Sequence, residues 1–95
     1  MYLFTKQTSE TYPVEVDFSD VLATGEIIYM HTVDAYVGDA DATADVIDSS
    51  TIDGSSIMVQ VKDGTDRRRY KITVEITTSD ANVFEEDIFM DVWNI

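Results

Sequence analysis

The segment Arg69–Thr78 alternates cleanly, with Tyr70, Ile72, Val74 and Ile76 on one parity and Arg69, Lys71, Thr73, Glu75 and Thr77 on the other. Period-two alternation of this kind predicts a β-strand with one buried face. Ser56–Lys62 alternates in the same way, setting Ile57, Val59 and Val61 against Met58, Gln60 and Lys62. A third strand is predicted from Val83 to Trp93, with Phe84, Ile88, Met90 and Val92 on the inner parity. Glu86 shares that parity, so the start of the strand lies at the open edge of the core or carries a bulge. Ser79–Asn82 reads as the short hairpin loop joining it to the strand before.

Glu26–Val37 is long and apolar on both parities, Ile27, Tyr29 and Val33 against Ile28, Met30 and Tyr36. A bulge near His31 that switches parity accounts for this, and so does a partner covering the second face; periodicity leaves both open. Pro13–Asp17 reads as an edge strand, with the proline where its missing N–H does least harm. Phe18–Leu22 then predicts one helical turn, capped by Asp17 or Ser19. One or two short strands are expected within Ala42–Ile52, around Val46–Ile47 and Ser50–Ile52. The four glycines mark turns, two of them in Asp-Gly pairs. The expectation is an N-terminal arm over residues 1–11 and, over residues 12–95, one all-β antiparallel sandwich of six or seven strands.

With 95 residues the chain has room for one small domain. It holds no cysteine, which excludes disulfide scaffolds and thiolate zinc sites. Six Lys+Arg against 19 Asp+Glu give a net charge of −13, which repels nucleic-acid phosphates and anionic membrane surfaces, so neither is an expected partner. The charge is polarised along the chain. Five of the six cations (Lys62, Arg67, Arg68, Arg69 and Lys71) lie in ten residues, whereas Gln7–Val61 carries eleven acids and no Lys or Arg. No apolar run is long enough to span a bilayer. The first residues lack the basic-then-apolar pattern of a secretion signal, so synthesis in the cytoplasm is expected.

Little of this inventory supports chemistry. His31 is the only histidine, which removes His-dependent triads and multi-His metal sites; it reads as a strand residue at the surface or rim. Carboxylates are too numerous for adjacency to imply an acid–base pair, and so small a chain leaves little room for a substrate cleft. The loop Asp39–Asp45 places Asp39, Asp41 and Asp45 at alternate positions, a calcium-like pattern. It lacks the sixth-position glycine, and Ser50 stands where an EF-hand has glutamate, so it reads as a solvated acidic loop. No enzymatic activity, cofactor or metal is expected. Arg67, Arg68 and Arg69 form a weak nucleic-acid signal in so acidic a chain. Two other readings remain: pairing across the final hairpin and contact with another molecule. With Val74 opposite Ile88, Lys71 faces Asp91 and Arg69 faces Trp93.

The string Tyr12–Leu22, Tyr-Pro-Val-Glu-Val-Asp-Phe-Ser-Asp-Val-Leu, followed by Gly25-Glu26-Ile27-Ile28, resembles the opening of small phage and prophage structural proteins. Those start with an aromatic-rich strand, a D-[WF]-S-x-x-L turn and a G-[ED]-x-I strand. The likeness continues through Asp41–Thr43, Val46–Asp48, Ile52–Val59, Lys62–Thr65, Tyr70–Thr73, Thr78–Ser79 and Glu85–Asp87. It covers nearly all the chain after about residue 10, in short pieces whose order and spacing carry it. The resemblance implies an immunoglobulin-like β-sandwich of the head–tail or tail-adaptor type, located in the virion, with no catalytic residues. The chain departs from that pattern twice. Arg67-Arg68 replace a glycine-containing turn, and Ala81 stands where the last hairpin has glycine. The functional expectation is therefore a non-enzymatic virion structural or assembly protein that contacts other virion proteins. Arg67, Arg68 and Arg69 are its candidate contact residues. Self-association would bring the basic segment 62–71 of one copy against the acid-only stretch 7–61 of the next. The alternative is an adhesion or carbohydrate-binding sandwich module.

Overall fold

The alternating segments pair as their parity demands. In the computed structural model, which describes residues 2–95, the elements run β1 (Tyr2–Lys6), β2 (Tyr12–Asp17), β3 (Ile28–Val37), β4 (Ala40–Asp41), α1 (Thr43–Val46), β5 (Ile47–Asp53), β6 (Ser56–Val61), β7 (Arg68–Thr78) and β8 (Val83–Val92). One sheet has the order β1-β8-β7-β3-β4 and the other β2-β6-β5. Their facing sides form the core: Val14 and Val16 with Ile57, Val59 and Val61 from the small sheet, and Ala35, Tyr70, Ile72, Val74, Ile76, Ile88, Met90 and Val92 from the large one. The strands expected from strict alternation, β6, β7 and β8, supply most of these side chains, as an all-β fold requires.

Among the described residues there are eight strands, against the six or seven expected. Two of them, β4 and β1, were not expected. β4 has two residues. β1 forms within the expected arm, whose Met1 lies outside the described residues. It runs parallel to β8, with Tyr2 opposite Ile88 and Lys6 opposite Val92, so the sandwich is not wholly antiparallel. Lys6 anchors this strand. Its ammonium is buried and donates to the carbonyls of Gln7 (2.7 Å), Thr8 (3.5 Å) and Asp63 (2.5 Å), which offsets the cost of taking the charge out of water.

The helical turn expected over residues 18–22 is not helical. The Phe18 N–H donates to Ser55 O at 2.9 Å, and Val21 N–H closes a single turn onto Phe18 O at 3.1 Å. Asp17 Oδ1 takes the Ser19 N–H at 2.8 Å, an Asx turn that competes with helix nucleation. The one short helix is instead α1, whose buried Val46 fills one end of the sandwich. On the first of the two accounts given for β3, the parity switch is a bulge near His31, and it falls at Tyr29. Ile28 pairs with Thr78 and Met30 with Thr77, leaving Tyr29 as the extra residue. This turns both Tyr29 and Met30 outward. Beyond the bulge, His31 faces inward, and its Nε2 lies 2.8 Å from Ser50 Oγ of β5, linking the two sheets at their rim.

Two polar groups tie loops to the frame. The Tyr70 hydroxyl, at the start of β7, accepts the Thr65 N–H at 2.9 Å and fixes the β6–β7 connection. The Glu26 carboxylate joins the β2–β3 connection to the last hairpin, accepting from Ala23 N (2.9 Å), Thr78 Oγ1 and Asn82 Nδ2 (2.9 Å). These donors, the Ala23 N–H foremost, hold its pKa below the usual glutamate value.

Candidate protein-interaction site

The tight hairpin between β7 and β8 determines what surrounds the arginines. Ala81 adopts a left-handed conformation (φ 64°), and Thr78 N–H closes onto Asn82 O at 2.8 Å. Thr77 therefore stands opposite Val83, which sets Val74 against Glu86 and Arg69 against Asp91. This register differs by two residues from the Val74–Ile88 pairing considered above, so the expected partners change. Arg69, not Lys71, meets Asp91, through Nε at 2.6 Å and Nη2 at 3.0 Å. Arg67, not Arg69, meets Trp93, its guanidinium 5.1 Å from the ring centroid. Lys71 reaches only Asp87, at 3.9 Å. Glu86 lies exposed at the open edge of the core, and the β7–β8 ladder runs past it without a bulge.

The structure thus brings Arg67, Arg68 and Arg69 together with Thr5, Asp91, Val92 and Trp93 around a shallow cleft of about 380 Å³. Arg67 is positioned by backbone rather than by burial. Its φ is 66°, its N–H donates to Val92 O at 2.7 Å, and its side chain is 74% exposed. A non-glycine residue in this region costs about 1–2 kcal/mol, and it sits where a glycine would relax the turn. Arg68 is exposed and makes no ion pair among the described residues. The Asp91 pair raises the Arg69 pKa further, and the Arg69 hydrogen bonds hold the Asp91 carboxyl below its usual range, so both stay charged throughout the physiological range. Asp91 thus neutralises Arg69, Asp66 stands 3.9 Å from Arg67 Nε, and Arg68 is the arginine left without an ion pair among the described residues.

A second cleft, of about 420 Å³, opens between the sheets on the β1–β2 side. Glu15, Asp17, Asp20 and Glu86 line it over an apolar base that includes Phe18 and Ile88. The Ser19 N–H lowers the Asp17 pKa, and Glu15 accepts from Ser56 Oγ at 2.6 Å. Sequence reasoning did not find this site, because its acids come from β2, the following turn and β8, which only the topology brings together.

The expected acidic loop is partly absorbed into structure. Asp41 pairs with Tyr36 in the β3–β4 ladder, and its carboxylate accepts the Thr43 N–H at 2.8 Å. Among the described residues, no three His, Cys, Asp or Glu side chains are grouped so as to hold a metal ion. No helix of the described residues is long and apolar enough to cross a membrane.

Comparison with known families places this two-sheet domain among phage tail components. Residues 6–91 match the family model described as podophage GP4 fiber-tail adaptor protein gp77, and the chain belongs to that family. It is accordingly a phage tail structural protein. The match reaches from the buried Lys6 to the Arg69 partner Asp91 and includes all three arginines. No curated protein matches the chain.

Proposed function

We propose that the domain works without catalysis, by binding other virion proteins in the tail, and that Arg67, Arg68, Arg69 and Trp93 are the surface through which it does so. The observation that carries this reading is Arg67. The chain tolerates a left-handed arginine where glycine would be easier, and stacks it on a half-exposed tryptophan beside two further arginines. Arginine and tryptophan are the residues most often found to dominate binding energy at protein interfaces, and guanidiniums engage carboxylates bidentately. Membership of a tail-adaptor family supports the same direction.

The sandwich is read as immunoglobulin-like. The large sheet, β1-β8-β7-β3-β4, against the small one, β2-β6-β5, is the strand order of that fold with its first strand lying parallel to the last. The Tyr70 hydroxyl bonded to backbone five residues upstream has the form of the tyrosine corner. At this cleft a carbohydrate-binding role fits less well, since the Arg67 guanidinium already lies over one face of Trp93, 5.1 Å from the ring centroid.

The test is the triple variant Arg67→Glu, Arg68→Glu, Arg69→Glu. Its circular dichroism should stay that of the folded domain, because the side chains lie outside the core, with melting lowered modestly where Arg69→Glu sets a second carboxylate opposite Asp91, while association with assembled tails is lost. A folded variant that associates normally overturns the assignment.

A further inference from the structure

The two clefts are opposite in charge and lie toward opposite ends of one edge. Along the β1–β8 pair, Tyr2, Glu86 and Ile88 belong to the acidic cleft, and Thr5, Asp91, Val92 and Trp93 to the arginine cleft. Glu86 and Trp93 are seven residues apart in a strand-like segment, about 23 Å at ~3.3 Å per residue. The molecule measures 43 × 24 × 22 Å, and a ten-residue strand spans about 33 Å, so the strands run along the long axis. The domain is therefore a rod with a basic patch toward one end and an acid-lined groove toward the other.

We propose that the occupant of the acidic cleft is a second copy of this chain, which inserts its Arg67–Arg68 corner between Glu15, Asp17, Asp20 and Glu86 of its neighbour. The inference rests on the reading of the arginine surface as a protein contact and names its partner. Among the described residues, no Lys or Arg lines the acidic cleft. Arg68, without an ion pair among the described residues, and Arg67, whose exposed contact with Asp66 is a long 3.9 Å, supply the guanidiniums that Asp91 does not engage. Both sites also carry half-exposed apolar groups, Trp93 (49% exposed) on one side and Tyr2 (47%) and Val21 (46%) on the other, which the contact would cover.

The −13 charge of each copy opposes any association at long range. At physiological ionic strength, however, charges more than about 8 Å apart are largely screened. Groups in direct contact are screened much less, so local complementarity prevails over net repulsion. A contact between two different surfaces is heterologous. Copies then join head to tail and close into a ring when the rotation between neighbours divides a full turn.

The absence of native cysteine allows a direct test. Full-length chains carrying Arg68→Cys alone, Asp20→Cys alone, or both are incorporated into tails, mildly oxidised and run without reductant. Head-to-tail packing gives a disulfide-linked ladder from the double variant and monomers from each single variant. Dimers from either single variant mean a two-fold contact and overturn the proposal, as do monomers from the double variant. The charge-reversed Arg67, Arg68 and Arg69 variant separates the two readings. If it is excluded from tails while the double-cysteine chain stays monomeric, the arginine surface stands and its partner is another protein. If it is incorporated normally, both readings fail.

Discussion

Two residues with positive φ, Ala81 and Gly64, show what such geometry costs and what it does here. Ala81 closes the last hairpin at φ 64°, where a Cβ is a steric cost that glycine lacks. Ala81→Gly should therefore stabilise the domain by about 0.5–1 kcal/mol, read as a raised urea midpoint at unchanged slope. Gly64 is the opposite case. Its φ is 97°, and an added Cβ would lie 2.7 Å from Val92 Cγ2, so Gly64→Ala should cost about 2–4 kcal/mol from strain and overpacking together. A neutral Gly64→Ala melt would contradict that packing. Glu26 gives a prediction in pH. Its folded pKa lies below the ordinary value of 4.5, so its contribution is complete above that value and is lost as pH falls through the lower, folded one. Glu26→Gln should be less stable than wild type at pH 7, and the gap should narrow progressively below about pH 4.5. A gap constant from pH 7 to pH 3 would mean that the carboxylate charge is irrelevant to these hydrogen bonds.

At the scale of elements, legibility followed packing asymmetry. β6, β7 and β8 were readable because each sets one face against the opposite sheet and the other toward solvent, so alternation survives in the sequence. β3 blurred this signal because the bulge at Tyr29 switches parity within the strand. β1 carried almost none: five residues with apolar side chains on both parities, whose partner strand lies more than eighty positions away. The turn at 18–22 and helix α1 exchanged expectations, since hydrogen bonding by Asp17 and Ser55 decided the first and tertiary packing of Val46 the second. The basic half of the candidate site was visible as a run of three arginines, whereas the register and the acidic half needed the topology. The attachment of β1 depends on Lys6, and Lys6→Met would remove its hydrogen bonds to three carbonyls. We expect a loss of about 1.5–3 kcal/mol. Amide exchange should accelerate in residues 3–6 while β7 keeps its protection; uniform protection in both would show that the ammonium is not the anchor.

At the scale of the whole molecule, the relevant quantity is the placement of charge rather than its sum. A net −13 repels phosphate backbones and anionic lipid at long range but does not say what the domain joins. Folding gathers the arginines at one cleft and four acids at another, each beside exposed apolar groups, and family membership puts this pattern in a phage tail. The most direct measurement is the copy number of the chain in purified particles, determined by quantitative mass spectrometry for three proteins. These are wild type, the triple reversal Arg67→Glu, Arg68→Glu, Arg69→Glu, and a control carrying Lys62→Glu and Lys71→Glu, which also adds negative charge but outside the cleft. If the arginine surface holds the domain in the tail, the control is incorporated at wild-type level and the triple reversal falls at least tenfold. Equal incorporation of all three, or equal loss from both charge variants, would contradict it.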